Sequence, residues 1–425
     1  MNFRKNIKFI FIRTFLVLFF IGLSYSAEMR TWTNLKGQQI KAQLVAVDGE
    51  YVLLRLENGR DSRIPRKTLS VGDQKFLEEY GGAEKIPIDP KAKITVPEKE
   101  MKFNSKTLVK RDDKFELPDG YSLQFDIVES EHFLVMSSGK VRGKDTAELA
   151  ERLWYGMNFQ HPGFAEKWGD EKKAIFLCGE KTDYDILGKY YVDQLANSGR
   201  AQEASNSART WPMSSGAGLS LDNDTCDKYD VMRGARAFRA DGKSNFQRGV
   251  WNPFPAHCIA QDVLNVQMGG AGGGAGSDGY YAISTGHGYY KEIQLTDETV
   301  TSLLDANTYE SDEVVKSGGF DDGRKWARTL RDLVKKEKVL PSLAGLYRVN
   351  RASQLTPELT VLMYGFARYM QSTPDRISKF STVMERVDTS RSIPVPQEMA
   401  KLFGFETVKE FEDDWIAYLK STAFK

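Results

Sequence analysis

The chain has 425 residues, with 59 Lys+Arg against 58 Asp+Glu, 41% hydrophobic residues, 3 cysteines and 4 histidines. A net charge of +1 creates no field to gather nucleic acid or an anionic membrane surface, which argues against a broadly basic nucleic-acid binder. The 28% of charged and 12% of aromatic residues are those of a folded globular chain, long enough for about two to three domains.

At the N-terminus, Arg4, Lys5 and Lys8 precede an apolar run over 15–23 and the small residues Ser24, Ser26 and Ala27. A basic segment, about ten apolar residues and a small-residue cleavage site describe an export signal over 1–27, cut after Ser26 or Ala27. Arg13 interrupts a longer apolar stretch starting at Phe9, and an uncleaved N-terminal anchor is the alternative. No other membrane association is expected. The mature chain is expected in the periplasm, the cell envelope or the extracellular space, where Cys178, Cys226 and Cys258 meet oxidising conditions. An odd number of cysteines allows at most one internal bridge; buried free thiols are the other reading.

Residues 28–80 read as a small all-β unit. Polar and apolar residues alternate over 39–47, 51–56 is a second strand and 62–64 a third, separated by the hairpin-turn pairs Asp48-Gly49 and Asn58-Gly59. A helical turn over 70–80, capped by Ser70, closes the unit. The string Arg30-Thr31-Trp32-Thr33, then Gly37, Ala42, Ile64-Pro65, and Leu69-Ser70 with Asp73-Gln74, resembles the SLA1 homology domain 1, an SH3-like barrel. In eukaryotic endocytic adaptors that domain binds peptides with an Asn-Pro-Phe core, so the resemblance implies a protein- or peptide-binding module. A spacer barrel is the alternative.

Residues 81–118, with Gly81-Gly82, Pro87, Pro90, Pro97 and many lysines, read as an extended linker. Beyond it, 122–128 and 132–137 pattern as paired strands, 145–157 as a helix and 174–178 as a buried strand. The stretch 200–239, rich in Ser, Gly, Asn and Arg, reads as a strand pair with loops on a cleft rim. After Asp297 the chain turns helical, with starts at Thr356-Pro357 and Thr373-Pro374 and a capping box of Thr407 and Glu410.

The chemistry-bearing constellation is centred on Pro255-Ala256-His257-Cys258-Ile259-Ala260-Gln261-Asp262, a helix on which His257 and Gln261 share one face. Downstream, Ile283-Ser284-Thr285-Gly286-His287-Gly288-Tyr289-Tyr290 forms a small-residue turn leading into an aromatic segment. The glycine run over 269–276 lacks the Gly-Lys-Ser/Thr ending of a phosphate loop and reads as a flexible loop over a cleft. Asn252-Pro253-Phe254 reads as a turn before the helix.

Taken with the strand-helix-strand lobe before it and the segment from Leu402-Phe403-Gly404 to Phe411 and Trp415 after it, the region 119–425 resembles the gluzincin-like metallopeptidases of the MA clan. The resemblance implies a thermolysin-like α+β domain with a mixed-sheet lobe and a helical C-terminal lobe, so that the chain as a whole is multidomain. In that family a helical His-Glu-x-x-His supplies two zinc ligands and the general base, and a later Glu is the third ligand. Here His257 is retained, Cys258 stands at the base position, Gln261 at the second ligand and Thr285 at the third, before a retained Gly286. An amide and a hydroxyl are weak donors to zinc, and a thiol does not do a carboxylate's proton work. These four positions are therefore expected to mark a former active site, with no catalytic residue, no metal and no cofactor. Two alternatives restore an enzyme: a rearranged zinc site from His257 and His287 with Cys258 or Asp262, or a Cys258–His287 nucleophile pair. The expected function is an exported adaptor-like pseudoenzyme that binds protein or peptide segments on the barrel or in the cleft.

Overall fold

The computed structural model describes residues 29–48, 51–58, 61–80, 103–118, 120–161, 163–241, 246, 251–270, 278–299, 322–350 and 354–425. The expected export signal, residues 81–102 of the expected linker and residues 271–276 of the glycine run lie outside them. Among the described residues no helix is long and apolar enough to cross a membrane. Two compact units divide the chain, residues 1–85 and 86–425.

In the first unit, β1 (Arg30–Thr33), β2 (Gln39–Asp48), β3 (Tyr51–Leu56) and β4 (Asp61–Pro65) form an antiparallel sheet in chain order, followed by helix α1 (Val71–Tyr80). Trp32, Ala42, Val52, Leu54, Leu69 and Leu77 make its core, small enough that polar fasteners matter. Asp73 is the main one. Its carboxylate accepts from Arg30 Nη2 at 2.6 Å, from the Thr33 amide at 2.7 Å and from Ser70 Oγ at 2.9 Å. The Arg30 guanidinium lies 3.7 Å from the centre of the Phe76 ring and 4.6 Å from that of Trp32, so the charge is held by an anion and two π faces. Ser70 caps α1 through the Asp73 amide, as its sequence position predicts.

The second unit is built on a mixed six-stranded sheet, order β5-β6-β7-β8-β10-β9. Its strands are β5 (Val109–Glu116), β6 (Gln124–Glu129), β7 (Phe133–Ser137), β8 (Lys173–Cys178), β9 (Gly216–Ser220) and β10 (Gly234–Arg239). β7, β8 and β10 are parallel to one another, and β9 is antiparallel at the edge. Parallel strands covered on both faces need apolar side chains on both, which is why Phe133-Leu134-Val135-Met136 and Ala174-Ile175-Phe176-Leu177 are unbroken hydrophobic runs. Phe133, Val135, Ile175, Leu177 and Phe238 face one helical layer; Leu134, Met136, Phe176 and Ala237 face the other.

The expected linker ends early, because Val109–Glu116 is the edge strand β5 and buries Phe115. The stretch 200–239 likewise differs from its reading: two helices lie among its strands, because Asp222 caps one by accepting from the Thr225 amide. In chain order the helices are α2 (Lys144–Gln160), α3 (Phe164–Trp168), α4 (Lys181–Asn197), α5 (Ala201–Thr210), α6 (Asn223–Tyr229), α7 (Pro253–Gln267) and α8 (Gly286–Thr296). A C-terminal set follows: α9 (Gly323–Lys335), α10 (Leu343–Tyr347), α11 (Pro357–Met370), α12 (Pro374–Ser390), α13 (Pro396–Leu402) and α14 (Val408–Lys420). The expected threonine caps of α11, α12 and α14 are in place, with both halves of the Thr407–Glu410 box made. The chain is therefore a multi-element α+β protein with a small antiparallel sheet and a larger mixed one.

Candidate functional site

Helix α7 starts where Asn252 accepts a hydrogen bond from the Phe254 amide and Pro253 takes the first helical position. The Asn-Pro-Phe string is thus the helix start itself, with Phe254 packed edge-on to Phe238 at 5.6 Å and against the backbone of Gly216. A β-carbon at Gly216 would lie 2.9 Å from the Phe254 ring, so the edge strand can approach α7 only as glycine. One turn further on, His257, Cys258 and Gln261 face Thr285, which ends a five-residue π-helical turn, Tyr281–Thr285, running into α8. Such turns shift the register of a helix and tend to sit at functional sites.

His257, Cys258, Gln261 and Thr285 all line one cleft of about 500 Å³. Its other walls include Ser214, Gly216 and Arg236 from the sheet side and Phe254, Tyr280 and Tyr281 from the helices. The four positions singled out in the sequence thus come together. His257 Nδ1 lies 2.9 Å from Glu292 Oε2, and the imidazole rests on Gly288, where a β-carbon would come within 2.7 Å of the ring. The ring donates its Nδ1–H to the carboxylate and keeps Nε2 as the acceptor, the tautomer of a metal-binding histidine. Burial, with Arg236 as a second cause, pushes the imidazole down to about 3, so this contact is a hydrogen bond of a neutral ring. Tyr289 packs edge-on to it at 4.6 Å. Gln261 Nε2 reaches Thr285 Oγ1 at 3.5 Å, a contact at the limit of hydrogen bonding.

Glu292 carried no signal in the motif comparison. Its spacing did: it is seven residues after Thr285 and four after Gly288, on the face of α8 that meets His257. Arg236 on β10 pairs with Asp262 on α7 through two donors, Nε at 3.2 Å and Nη2, and Lys173 Nζ stands 3.8 Å from the same carboxylate. Asp262 is held below the ordinary carboxylate range by Arg236 and Lys173 against the cost of its burial. Burial pushes the Cys258 thiol up to about 12, so it rests protonated beside the helix.

The donor set does not fit a zinc ion of the gluzincin type. Around the cleft it consists of one imidazole nitrogen, an amide, hydroxyls and the Cys258 thiol, which burial keeps protonated, where such zinc takes three strong donors and a nearby carboxylate base. Glu292 is engaged behind the imidazole ring. His287, the alternative ligand, is not part of the cleft lining; its Nδ1 meets Gln371 Nε2 at 3.2 Å among the helices. The remaining histidines are structural. His161 Nδ1 bonds Ser381 Oγ at 2.6 Å, and His132 places its amide and its Nδ1 on the two oxygens of Glu151, each at 2.8 Å. Cys178, Cys226 and Cys258 are all free thiols.

A second, wider cavity of about 880 Å³ opens on the sheet's other face, between Tyr121, Tyr190, Tyr191, Arg200, Asp222 and Arg233. No motif pointed to it. Asp222 there already accepts from Tyr190, Gln194 and Thr225. Comparison of the chain with protein-family models, with curated proteins and with solved structures finds no match.

Proposed function

We propose that this is an exported protein- or peptide-binding protein, in which an SH3-like adaptor barrel is joined to a gluzincin-like domain that no longer hydrolyses. The observation that carries the reading is a sheet edge beside the cleft that no strand among the described residues covers. On β9 the odd residues bond to β10, as the Arg239 amide to Ser215 carbonyl and Leu221 amide to Arg233 carbonyl contacts show. Alternation then directs the amides and carbonyls of Gly216, Gly218 and Ser220 away from the sheet. Those of Gly216 are occupied by the Ser214 hydroxyl, which both donates and accepts. Gly218 is exposed, and among the described residues nothing but Arg236 Nη1, at 4.0 Å, lies near its missing β-carbon.

A glycine edge accepts an added strand with little steric resistance, main-chain bonds giving affinity and neighbouring pockets giving preference. Met213, 76% exposed at the cleft rim, offers apolar contact to such a strand. The weak metal donors and the protonated thiol favour binding over bond cleavage.

Gly218→Pro is the direct test, since its outward amide is lost while the ladder to β10 is kept. Retention of peptides from a random pool by the immobilised full chain should fall to background, with the circular dichroism unchanged. Undiminished retention would sink the edge-strand reading. Metal analysis separates the enzyme class: stoichiometric zinc that disappears in His257→Ala would replace binding by catalysis.

A further inference from the structure

Arg236 is the sole charged side chain among the described residues that line the cleft. It projects from the face of β10 that carries Phe238, towards α7, with its side chain 20% exposed. Two of its nitrogens, Nε and Nη2, are spent on Asp262, while among the described residues Nη1 has no acceptor and is the atom nearest the open side of Gly218. Lys173 approaches Asp262 as well, so two cations share that one carboxylate. Hydroxyl-bearing side chains such as those of Thr210, Ser215, Tyr280 and Thr285 add to the polar lining, and none of the described lining residues is acidic.

We infer that the cleft selects peptides bearing a carboxylate, which Nη1 of Arg236 receives as the peptide lies along Gly218. This rests on the peptide-binding reading above and names the chemistry of its ligand. A guanidinium already fixed in plane by Asp262 loses little freedom on receiving a second acceptor, and its bond to a carboxylate is charge-assisted. A carboxylate comes from two sources, a peptide C-terminus or an Asp or Glu side chain, and the experiment separates them.

Three pools of random octapeptides are passed over the immobilised full chain, and the retained fractions are measured by mass spectrometry. One has free C-termini and no Asp or Glu, one is amidated and also lacks Asp and Glu, and one is amidated with a single Asp or Glu. Either the first or the third should be enriched about tenfold or more over the second, as one charge-assisted hydrogen bond implies. Which of them is enriched identifies the source. Equal retention of all three overturns the carboxylate inference and leaves peptide binding standing; retention of none overturns both. Arg236→Gln alone would strand a buried carboxylate, so the paired change Arg236→Gln with Asp262→Asn is the informative variant. It should erase the enrichment while amidated peptides bind as before, and an enrichment that survives it would assign the selectivity elsewhere.

Discussion

Lowering the pH from 7 to 5 should destabilise the large unit through its buried imidazoles. His161, His257 and His287 are 0%, 5% and 1% exposed. Burial, with Lys291 as a lesser cause, pushes His161 down to about 3; burial and Arg236 do the same to His257, and His287 is driven well below its ordinary value. All three are neutral when folded, while an unfolded imidazole takes up its proton near pH 6.5. The stability they confer is therefore complete above that pH and is lost as pH falls towards the folded value. Between pH 7 and pH 5, each excluded proton costs about 2 kcal/mol, so His161 and His257 alone account for about 4 kcal/mol. His287 acts in the same direction. Against a whole-domain stability of about 5–15 kcal/mol, that loss is large enough to measure without ambiguity. Urea unfolding at pH 7, 6 and 5 can be followed by tryptophan emission, since Trp154, Trp168, Trp326 and Trp415 are buried in this unit. His161→Asn should remove about half of the two-histidine effect. A stability at pH 5 within about 1 kcal/mol of that at pH 7 would mean that the folded chain accepts these protons, and the burial argument would fail.

Other outcomes follow from single contacts. Gly288→Ala places a β-carbon 2.7 Å from the His257 ring, and should cost about 1–3 kcal/mol in thermal unfolding as the imidazole is pushed off Glu292. Glu292→Ala strands the buried Nδ1 proton; a loss of about 1–3 kcal/mol in urea is expected, and a neutral result would contradict the assigned tautomer. Asp73→Ala removes the acceptor shared by Arg30, Thr33 and Ser70, so hydrogen exchange should quicken in peptides from 30–80 and stay unchanged in those from 120–420. With Cys178 and Cys258 buried and their thiols pushed up, a disulfide reagent should titrate no thiol besides Cys226 in the folded chain, and three after denaturation.

Local order was the legible part. Threonine before proline marks α11 and α12, the Thr407–Glu410 box marks α14, and the apolar runs of β7 and β8 announce strands buried on both faces. His257 and Gln261 share a helix face as their spacing implies, and Cys258 and Thr285, singled out only through the resemblance, line the same cleft. What escaped was non-local. The partner of His257 is Glu292, on a helix whose register depends on the preceding π-turn, and the motif around His257 does not point to it. Helices α5 and α6 escape the sequence because Ser, Asn and Asp favour caps and turns as readily as helix, and the choice is made by packing of α5 and Trp211 against α4 and of Tyr229 against Phe115 of the sheet. The Arg236–Asp262 pair joins a strand to a helix 26 residues away, and no periodicity of either element announces it.

The inward clasp of Arg30, Trp32, Asp73 and Phe76 turns the small unit's charged fastener to its own closure. Side chains committed to locking a hydrophobic interior leave the outer face at liberty to vary, so any guest this unit takes must be chosen by positions outside the clasp.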